Sequence, residues 1–336
     1  MAVNDASHHI ISELLAQRTG QQLTEGRRWR VSSALSGLFR ECGIENVDQL
    51  ACLLERPGEH GLATRVVEAL LNNETYFFRD NAYFSVLANQ VLPDLARKRA
   101  ATKRLSIWSA GCSTGQEALS LAMIFAEQPA RWNGWTIEIL GTDVSNKAIE
   151  TARNGLYTQF EIQRGISVAQ MLNFFAETNG HWQAVDRIRA MTRFQQHNIL
   201  DYPPSPGRFD LVLCRNVLLY FDPQTRSAAF DRLAGGTARD GWLMLGAGET
   251  VVGQTERGGS NPAADGLDRR GDDPKTVPHD LDAQTKTNLA GLHGVHAEPR
   301  ATGANHRVPR ETASTLNQHL ATHGVTPHHT IAGPGC

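Results

Sequence analysis

The chain has 336 residues, of which 40% are hydrophobic and 20% are charged, and its formal net charge is −2. This length suggests about two domains, and the near-neutral charge argues against a nucleic-acid-binding protein. No apolar run approaches the roughly 18 residues that span a membrane, and the N-terminus does not resemble a secretory signal. Five cysteines without a C-x-x-C pair argue against a disulfide framework or a zinc site. We therefore expect a reduced, cytoplasmic protein without direct membrane insertion.

Residues 1–72 show helical periodicity only. Apolar residues recur at helical spacing in IISELLAQR, VSSALSGLFRECGI and LATRVVEALL. In the second of these segments, Val31, Leu35 and Leu38 share one face of the predicted helix. Because no segment alternates as a strand would, this region is predicted to be a small all-α domain.

From about residue 104, short apolar runs alternate with helical segments. The runs are RLSIWSAG, WTIEILGTD, TRFQQHNI, FDLVLCRN and GWLMLGAG, and the helical segments include QEALSLAMIFAEQ and NKAIETARNG. This alternation is typical of an α/β fold with a doubly wound parallel sheet. Ligands of such sheets bind outside the carboxyl ends of the strands, so the polar residues that end each run are the candidates for function.

Residues 254–336 differ from the rest of the chain in composition. They are rich in Gly, Pro, Asp and His and have no sustained apolar periodicity. Such a segment cannot bury enough apolar surface to offset its conformational entropy, so it is predicted to be a disordered tail. Its histidines lack the spacing of metal ligands, and we expect no metal site.

The most informative local motif is WSAGCSTGQEALSLAM, in which a strand ends at Trp108 and a helix begins near Gln116. Gly111 and Gly115 allow a sharp turn and the close approach of a ligand, and the helix N-terminus favours an anionic group. The spacing does not match the G-x-G-x-x-G of nicotinamide-binding loops. Glu117 would repel a pyrophosphate but can hold an ammonium. A methionine-type amino acid supplies both an ammonium and a carboxylate, and a tight turn without a ligand is the alternative.

Two further strand ends carry candidate ligand contacts, each with a structural alternative. Asp143 ends the second strand, where an acidic residue commonly accepts hydrogen bonds from ribose hydroxyls, but it is also a possible helix N-cap. Asn198 and Ile199 follow the third strand. Asn198 can recognise an adenine edge while Ile199 packs on the ring, or Asn198 can simply form a turn.

The fourth apolar run, FDLVLCRNVLLYFD, ends in Arg215 and Asn216, and Tyr220 follows one helical turn later. Core packing gives no reason for an arginine and an asparagine at the end of a strand of leucine and valine. We therefore predict that these residues lie at the ligand edge of the sheet.

Five motifs together resemble those of the CheR-type chemotaxis receptor methyltransferases, in the same order. They are NNETYFFRD, AGCSTGQEALSLAM, GTDVSNKAIETARNGLY, FDLVLCRNVLLYF and GWLMLGAGET. Enzymes of this family transfer methyl groups from S-adenosylmethionine to glutamate side chains of bacterial chemoreceptors. The resemblance implies a Rossmann-like methyltransferase domain over residues 73–253, with a small inserted subdomain at about 157–195, and a receptor-docking role for residues 1–72.

The resemblance also assigns the site residues. The implied contacts to S-adenosylmethionine, and to its product S-adenosylhomocysteine, are Asn73, Thr75, Arg79, Glu117, Asp143, Asn198, Ile199, Arg215 and Asn216. Arg79 and Tyr220 are the expected catalytic residues, with Tyr220 near the transferred methyl, and Phe77 and Phe78 are expected to anchor the first motif to the sheet domain. A glutamate carboxylate is already ionised at neutral pH, so no general base is expected, and catalysis should depend on positioning.

The implied partner is the cytoplasmic helical bundle of methyl-accepting chemotaxis receptors, recognised by a monomeric enzyme. The methylated surfaces of such receptors are acidic, so Arg27, Arg28, Arg30 and Arg40 are candidate contacts, although a solvated helix face explains them equally well. The inserted segment is short and carries ETNGHW in place of a longer Gly-containing loop. We therefore expect recognition that does not depend on a receptor tether.

The sequence departs from the family after GETVVGQT, where two further strands would complete the sheet. Without them, one edge of the sheet would be unpaired. Two alternatives to a receptor methyltransferase therefore remain open. One is a non-catalytic remnant that binds the cofactor or the receptor, and the other is a methyltransferase with another substrate.

Overall fold

The computed structural model of the chain describes residues 5–56, 58–246, 249 and 275–277. No helix within these ranges is long and apolar enough to cross a membrane.

In the N-terminal region the structure contains the helices α1 (Asp5–Thr19), α2 (Glu25–Cys42), α3 (Val47–Leu54) and α4 (His60–Leu70). Their apolar faces form a separate core that includes Ile11, Leu35, Leu50 and Val66, each fully buried. Three of these helices match the predicted segments. The sequence prediction missed α3, an eight-residue helix that is too short to show clear periodicity.

The strands, in chain order, are β1 (Arg104–Ala110), β2 (Thr136–Asp143), β3 (Leu156–Tyr157), β4 (Phe175–Thr178), β5 (His181–Ala184), β6 (Thr192–Gln196), β7 (Phe209–Cys214), β8 (Thr237–Leu245) and β9 (Lys275–Val277). The main sheet has the order β6-β2-β1-β7-β8-β9, and all of its neighbouring strands are parallel. The predicted parallel sheet is therefore confirmed.

The remaining helices are α5 (Asn81–Val86), α6 (Leu92–Lys98), α7 (Gln116–Ala126), α8 (Asn146–Asn154), α9 (Gln159–Gln163), α10 (Val168–Phe174), α11 (Asp186–Arg189) and α12 (Pro223–Gly236). A π-helical turn, Leu87–Val91, joins α5 to α6, and a 3-10 turn, Leu218–Tyr220, precedes α12.

The main sheet is buried on both faces, as its continuous apolar runs predict. In β1, Leu105 and Ile107 belong to the core on one face, whereas Trp108 and Ala110 belong to the core on the other. This alternation is the two-residue period of a strand between two apolar layers.

A second, antiparallel sheet of order β3-β5-β4 lies within the segment that was predicted as an inserted subdomain. Its strands are two to four residues long, which is too short for period-2 alternation to be visible in the sequence.

Residues 275–277 differ from the expectation for the tail, because they form β9 and pair with β8 in parallel. Thr276 and Val277 are β-branched residues, which favour strands, and the edge of β8 offers them unpaired backbone groups. The predicted disorder of the other residues of 254–336 falls outside the described residues.

Candidate functional site

A cleft of about 840 Å³ lies outside the carboxyl ends of the central strands of the main sheet. The structure brings every predicted site residue to this cleft. Its lining includes Asn73, Thr75, Arg79, Glu117, Asp143, Asn198, Ile199, Arg215, Asn216 and Tyr220. These residues come from five separate stretches of the chain, and the parallel topology is what collects the strand ends at one edge.

Arg215 is the most deeply buried charge at the cleft, with 3% of its side chain exposed. Its guanidinium pairs with Glu117 at 3.1 Å and with the Asp80 carboxylate, and it donates to the carbonyl of Arg79 at 2.7 Å. Burial disfavours the charged guanidinium, but the nearby Glu117 and Asp80 carboxylates outweigh this effect and raise the pKa of Arg215. Arg215 therefore ties the segment around Arg79 to α7. The contribution of Asp80 was not predicted from the sequence.

Asp143 is buried at the end of β2 and accepts two backbone hydrogen bonds. Its Oδ2 accepts from the Ser113 N–H at 2.8 Å, and its Oδ1 accepts from the Ser145 N–H at 2.9 Å. Burial raises the pKa of Asp143, while these hydrogen bonds act in the opposite direction. Ser145, not Asp143, is the N-cap of α8, because its Oγ accepts from the Ala148 N–H. The capping alternative for Asp143 is thus wrong, and its carboxylate retains capacity to accept further hydrogen bonds.

The side chain of Asn198 forms a turn in this structure. Its Oδ1 accepts from the Leu200 N–H at 3.0 Å, and its Nδ2 donates to the carbonyl of Arg18 at 3.2 Å. The turn-forming alternative is therefore confirmed, and a contact between Asn198 and an adenine remains a prediction. Ile199 is buried in the same apolar cluster as Trp108 and also lines the cleft.

The aromatic residues of NNETYFFRD anchor that segment, as predicted. Phe77 is fully buried and packs edge-on against Tyr157 and Phe175, with ring centroids at 5.1 and 5.3 Å. The Phe78 N–H donates to Ser120 Oγ at 3.0 Å. Phe77 therefore anchors the segment to the small antiparallel sheet, and Phe78 anchors it to α7 of the main-sheet domain, as expected.

Arg79 presents its guanidinium at the mouth of the cleft. Its Nη1 donates to the carbonyl of Glu74 at 3.0 Å, and its Cζ lies 5.7 Å from the centroid of the Tyr76 ring. Within the described residues no carboxylate forms an ion pair with Arg79, in contrast to Arg215. The positive charge of Arg79 is therefore available to a carboxylate that enters the cleft.

Glu249 is a buried carboxylate that the sequence analysis missed. Only 3% of the residue is exposed. One oxygen accepts from the N–H groups of Asn216 and Gly246, and the other accepts from those of Val217 and Leu219. Burial raises the pKa of Glu249, and these backbone hydrogen bonds oppose the shift. Glu249 thereby holds Asn216 in a left-handed conformation, with φ of 59°. The only signal in the sequence was an acidic residue inside the apolar, glycine-rich run GAGET.

The chemistry of the cleft fits a nucleoside that carries an amino acid. Two carboxylates, Asp143 and Glu117, can accept hydrogen bonds from hydroxyl and ammonium groups, and Arg79 can pair with a carboxylate. Arg215 Nε is buried and has no hydrogen-bond partner within the described ranges.

Comparisons with known proteins point to one family. The family model described as "CheR methyltransferase, SAM binding domain" matches residues 73–263. A chemotaxis protein methyltransferase of Vibrio parahaemolyticus (strain RIMD 2210633) is 31% identical over 260 residues, which are 76% of this chain and 94% of that protein. The chemotaxis protein methyltransferase Cher2 of Pseudomonas putida (strain KT2440) is 35% identical over 243 residues, 71% of this chain and 88% of that protein. Chemotaxis protein methyltransferase 1 of Pseudomonas aeruginosa (strain PAO1) is 34% identical over 255 residues, 75% of this chain and 92% of that protein.

Proposed function

The chain belongs to the CheR methyltransferase family, and we propose that this S-adenosylmethionine-dependent methyltransferase converts glutamate carboxylates of bacterial chemoreceptors to methyl esters. The observation that carries the proposal is the convergence of ten polar and apolar residues, predicted from separate motifs, on one cleft. The cleft is lined by the Arg79 guanidinium, which forms no ion pair with a carboxylate among the described residues and therefore suits a carboxylate substrate.

The chain's own residues provide a site for each part of the cofactor. Asp143 would accept hydrogen bonds from the ribose hydroxyls, Glu117 would accept from the ammonium, and Asn73 and Thr75 would help to hold the amino-acid end. When bound, S-adenosylmethionine supplies a methyl group on a positively charged sulfur, which is a good leaving group.

The role of the protein in the reaction is to position the reactants. The substrate glutamate is ionised at neutral pH, so no residue of this chain has to remove a proton. Arg79 orients the incoming carboxylate through a partial contact, since full ion pairing would weaken the nucleophile. Tyr220 lines the cleft and would lie beside the methyl group that is transferred. Holding two reactants in line can contribute several kcal/mol to lowering the barrier.

The helical region, residues 1–72, is proposed to dock the receptor. Arg30 and Arg40 are exposed on α2, where they can meet an acidic helical surface. The side chains of Arg27 and Arg28 lie outside the described residues. Recognition is proposed to need no receptor tether, because the inserted subdomain is short.

The proposal is tested by transfer of labelled methyl groups from S-adenosylmethionine to membranes that carry chemoreceptors. Base-labile methyl ester is measured for the full chain, for Arg79→Ala and for the control Arg193→Ala, whose side chain is 81% exposed on β6. We expect label with the full chain and with the control, and a loss of about 100-fold in rate with Arg79→Ala, which is the scale of a misplaced reactant.

The same proteins are titrated with S-adenosylhomocysteine by calorimetry. If the full chain binds this product but transfers no label, the chain is a binding remnant and the proposal is wrong. If label appears only on other proteins, the substrate class is wrong, although the methyltransferase activity stands.

A further inference from the structure

The link between α1 and α2 lies against the turn that carries Tyr220. We call residues 20–23 the strap. Gln21 forms an antiparallel bridge with Phe221, and the Gln22 N–H donates to the carbonyl of Tyr220 at 2.7 Å. The Gln22 side chain donates to Asp222 Oδ2 at 3.2 Å. The strap therefore contacts three consecutive residues, Tyr220, Phe221 and Asp222, about 200 residues later in the chain.

The strap is held closely against its neighbours. Gly20 has φ of 80°, and a Cβ added there would lie 2.7 Å from Leu200 Cδ1 and 3.0 Å from Thr225 Cγ2. Just before it, Thr19 is 2% exposed, and its Oγ1 accepts from the Gln21 N–H at 3.1 Å. The strap therefore packs closely against Leu200 and the start of α12, and the positive φ of Gly20 disfavours any residue that carries a Cβ.

The phenol of Tyr220 is held from the same region of the chain. Asn72 follows α4, and its Nδ2 donates to the Tyr220 hydroxyl oxygen at 2.8 Å. This hydrogen bond restricts the position of the ring, since the phenol oxygen is tied to a side chain that the helical region supports. Tyr220 is thus fixed at its carbonyl by Gln22 and at its hydroxyl by Asn72.

Every one of these contacts comes from residues before position 73, where the match to the family's cofactor-binding domain begins. Thr19, Gln21 and Asn72 also line the cleft itself. We infer that the strap and Asn72 are positioning elements for Tyr220, so that the helical region completes the reaction cleft in addition to docking a receptor. The inference rests on the proposed function, because that function places Tyr220 beside the transferred methyl.

The phenol contact is tested by a double-mutant cycle on methyl transfer. We expect Asn72→Ala to lower kcat about 10-fold, the effect of a modest misplacement of a group at the reaction site, and to change the KM for S-adenosylmethionine by less than about 2-fold. Asn72→Gln, which keeps the amide donor, should recover part of the rate. In a Tyr220→Phe background, Asn72→Ala should have no further effect. An equal loss of kcat in both backgrounds would overturn the inference.

The strap is tested with Gly20→Ala and the matched control Gly37→Ala, whose added Cβ meets no atom within 4 Å. The protein is labelled with 3-fluorotyrosine, and its five tyrosines are followed by ¹⁹F NMR, with the Tyr220 signal assigned from Tyr220→Phe. We expect Gly20→Ala and Asn72→Ala to move the Tyr220 signal and Gly37→Ala to leave it in place.

The ¹⁹F NMR measurement does not require methyl transfer. It can therefore refute the positioning inference separately from the proposed function. An unmoved Tyr220 signal in both variants overturns the positioning inference, whatever the activity. If the signal moves but kcat does not fall, the contacts do not serve the reaction and the inference is also wrong. If the unmodified chain transfers no methyl but the Tyr220 signal moves in both variants, the proposed function is wrong, whereas the positioning of Tyr220 by the strap and Asn72 stands.

Discussion

Arg215 and Glu249 are buried charged side chains that hold the polypeptide on two sides of the cleft. Arg215 connects Glu117, Asp80 and the backbone of Arg79, whereas Glu249 accepts from the backbone N–H groups of the turn after β7. Removing one member of a buried charge network leaves its partners desolvated and unpaired, which is costly. Both residues therefore act on the geometry of the site whether or not they touch a ligand.

The substitution Glu249→Gln tests whether the Glu249 carboxylate holds the turn after β7, because it changes a single oxygen atom. The amide replaces one carboxylate oxygen by an NH₂ group, which faces backbone N–H donors and cannot accept from them. We expect the free energy of unfolding to fall by about 1–3 kcal/mol, the cost of unsatisfied buried donors, and the affinity for S-adenosylhomocysteine to fall with it. Urea unfolding and calorimetry measure the two effects.

The control for this substitution is Glu150→Gln on the exposed face of α8. It should leave both quantities unchanged. If Glu249→Gln behaves like this control, the backbone contacts of Glu249 do not stabilise the turn.

At the scale of elements, the small subdomain that contains the antiparallel sheet β3-β5-β4 supports the segment that carries Arg79. Arg164, just after α9, pairs with Glu74 at 2.9 Å, and its guanidinium lies 4.2 Å from the centroid of the Tyr76 ring. The hydrogen bond from Arg164 lowers the pKa of Glu74. The same subdomain supplies Phe175 and Tyr157, which enclose Phe77. The segment is thus held by the buried aromatic packing of Phe77 and by the exposed ion pair between Arg164 and Glu74.

The substitution Gly165→Ala is predicted to separate the backbone after α9 from the backbone of Phe77. Gly165 has φ of 98°, and an added Cβ would lie 1.8 Å from the carbonyl oxygen of Phe77. Because neither backbone can yield without breaking this contact, the free energy of unfolding should fall by about 3 kcal/mol. Urea denaturation followed by circular dichroism gives this value.

Gly180→Ala is the matched comparison, because Gly180 also has a positive φ, of 77°, but its added Cβ meets nothing within 4 Å. It should cost only about 1 kcal/mol, the backbone strain alone. Equal effects of the two substitutions would show that the approach to Phe77 does not matter.

At the scale of the whole molecule, the helical region and the sheet domain meet beside the cleft. Glu68 on α4 accepts from Ser145 Oγ at 2.6 Å and from the Asn146 N–H at 2.7 Å, at the start of α8. Together with the strap, these contacts join the two regions on both sides of the site. Ion pairs at the opposite end of the main sheet stabilise the molecule away from the cleft. Arg99 pairs there with Asp210 and Asp240.

Acid is predicted to destabilise the molecule partly through Asp94. Burial raises the pKa of Asp94, but hydrogen bonds from Lys98, Trp242 and Arg97 outweigh it and lower this pKa to about 2. Because the folded-state pKa lies below the ordinary value of 3.8, the stabilisation is complete above that value and is lost as the pH falls toward 2. Asp94→Asn should lower the free energy of unfolding by about 1 kcal/mol at pH 6, after solvent screening is allowed for.

Urea unfolding between pH 2 and pH 7 checks this prediction. The difference between the unmodified chain and Asp94→Asn should shrink as the pH approaches 2. The control Asp186→Asn has a fully exposed carboxylate and should follow the unmodified chain at every pH. A constant difference between the unmodified chain and Asp94→Asn across the pH range would contradict the linkage.

Much of the fold and of the candidate site could be predicted because the sequence patterns that indicate strands, and the polar residues that end them, lie within short stretches of the chain. Apolar runs such as FDLVLCRN show strand identity within a few residues, and parallel strands bring their polar ends to one edge by topology. Asp143 and Arg215 could therefore be placed at one cleft from these patterns, whereas Arg79 lies on no strand and was placed there only by the resemblance of NNETYFFRD to the family's first motif. The strands β3–β5 and the helix α3 escaped prediction because elements this short carry too little periodicity.

The sequence by itself determined the parallel sheet, the position of its ligand edge and the residue types available there. Only the tertiary structure decided which hydrogen-bond partners those residues have. It showed Asn198 in a turn, Ser145 rather than Asp143 as the cap of α8, and Glu249 and the strap at the turn of Tyr220. The physical reason is that these contacts involve backbone N–H and C=O groups, which every residue carries and whose partners depend on how distant segments pack.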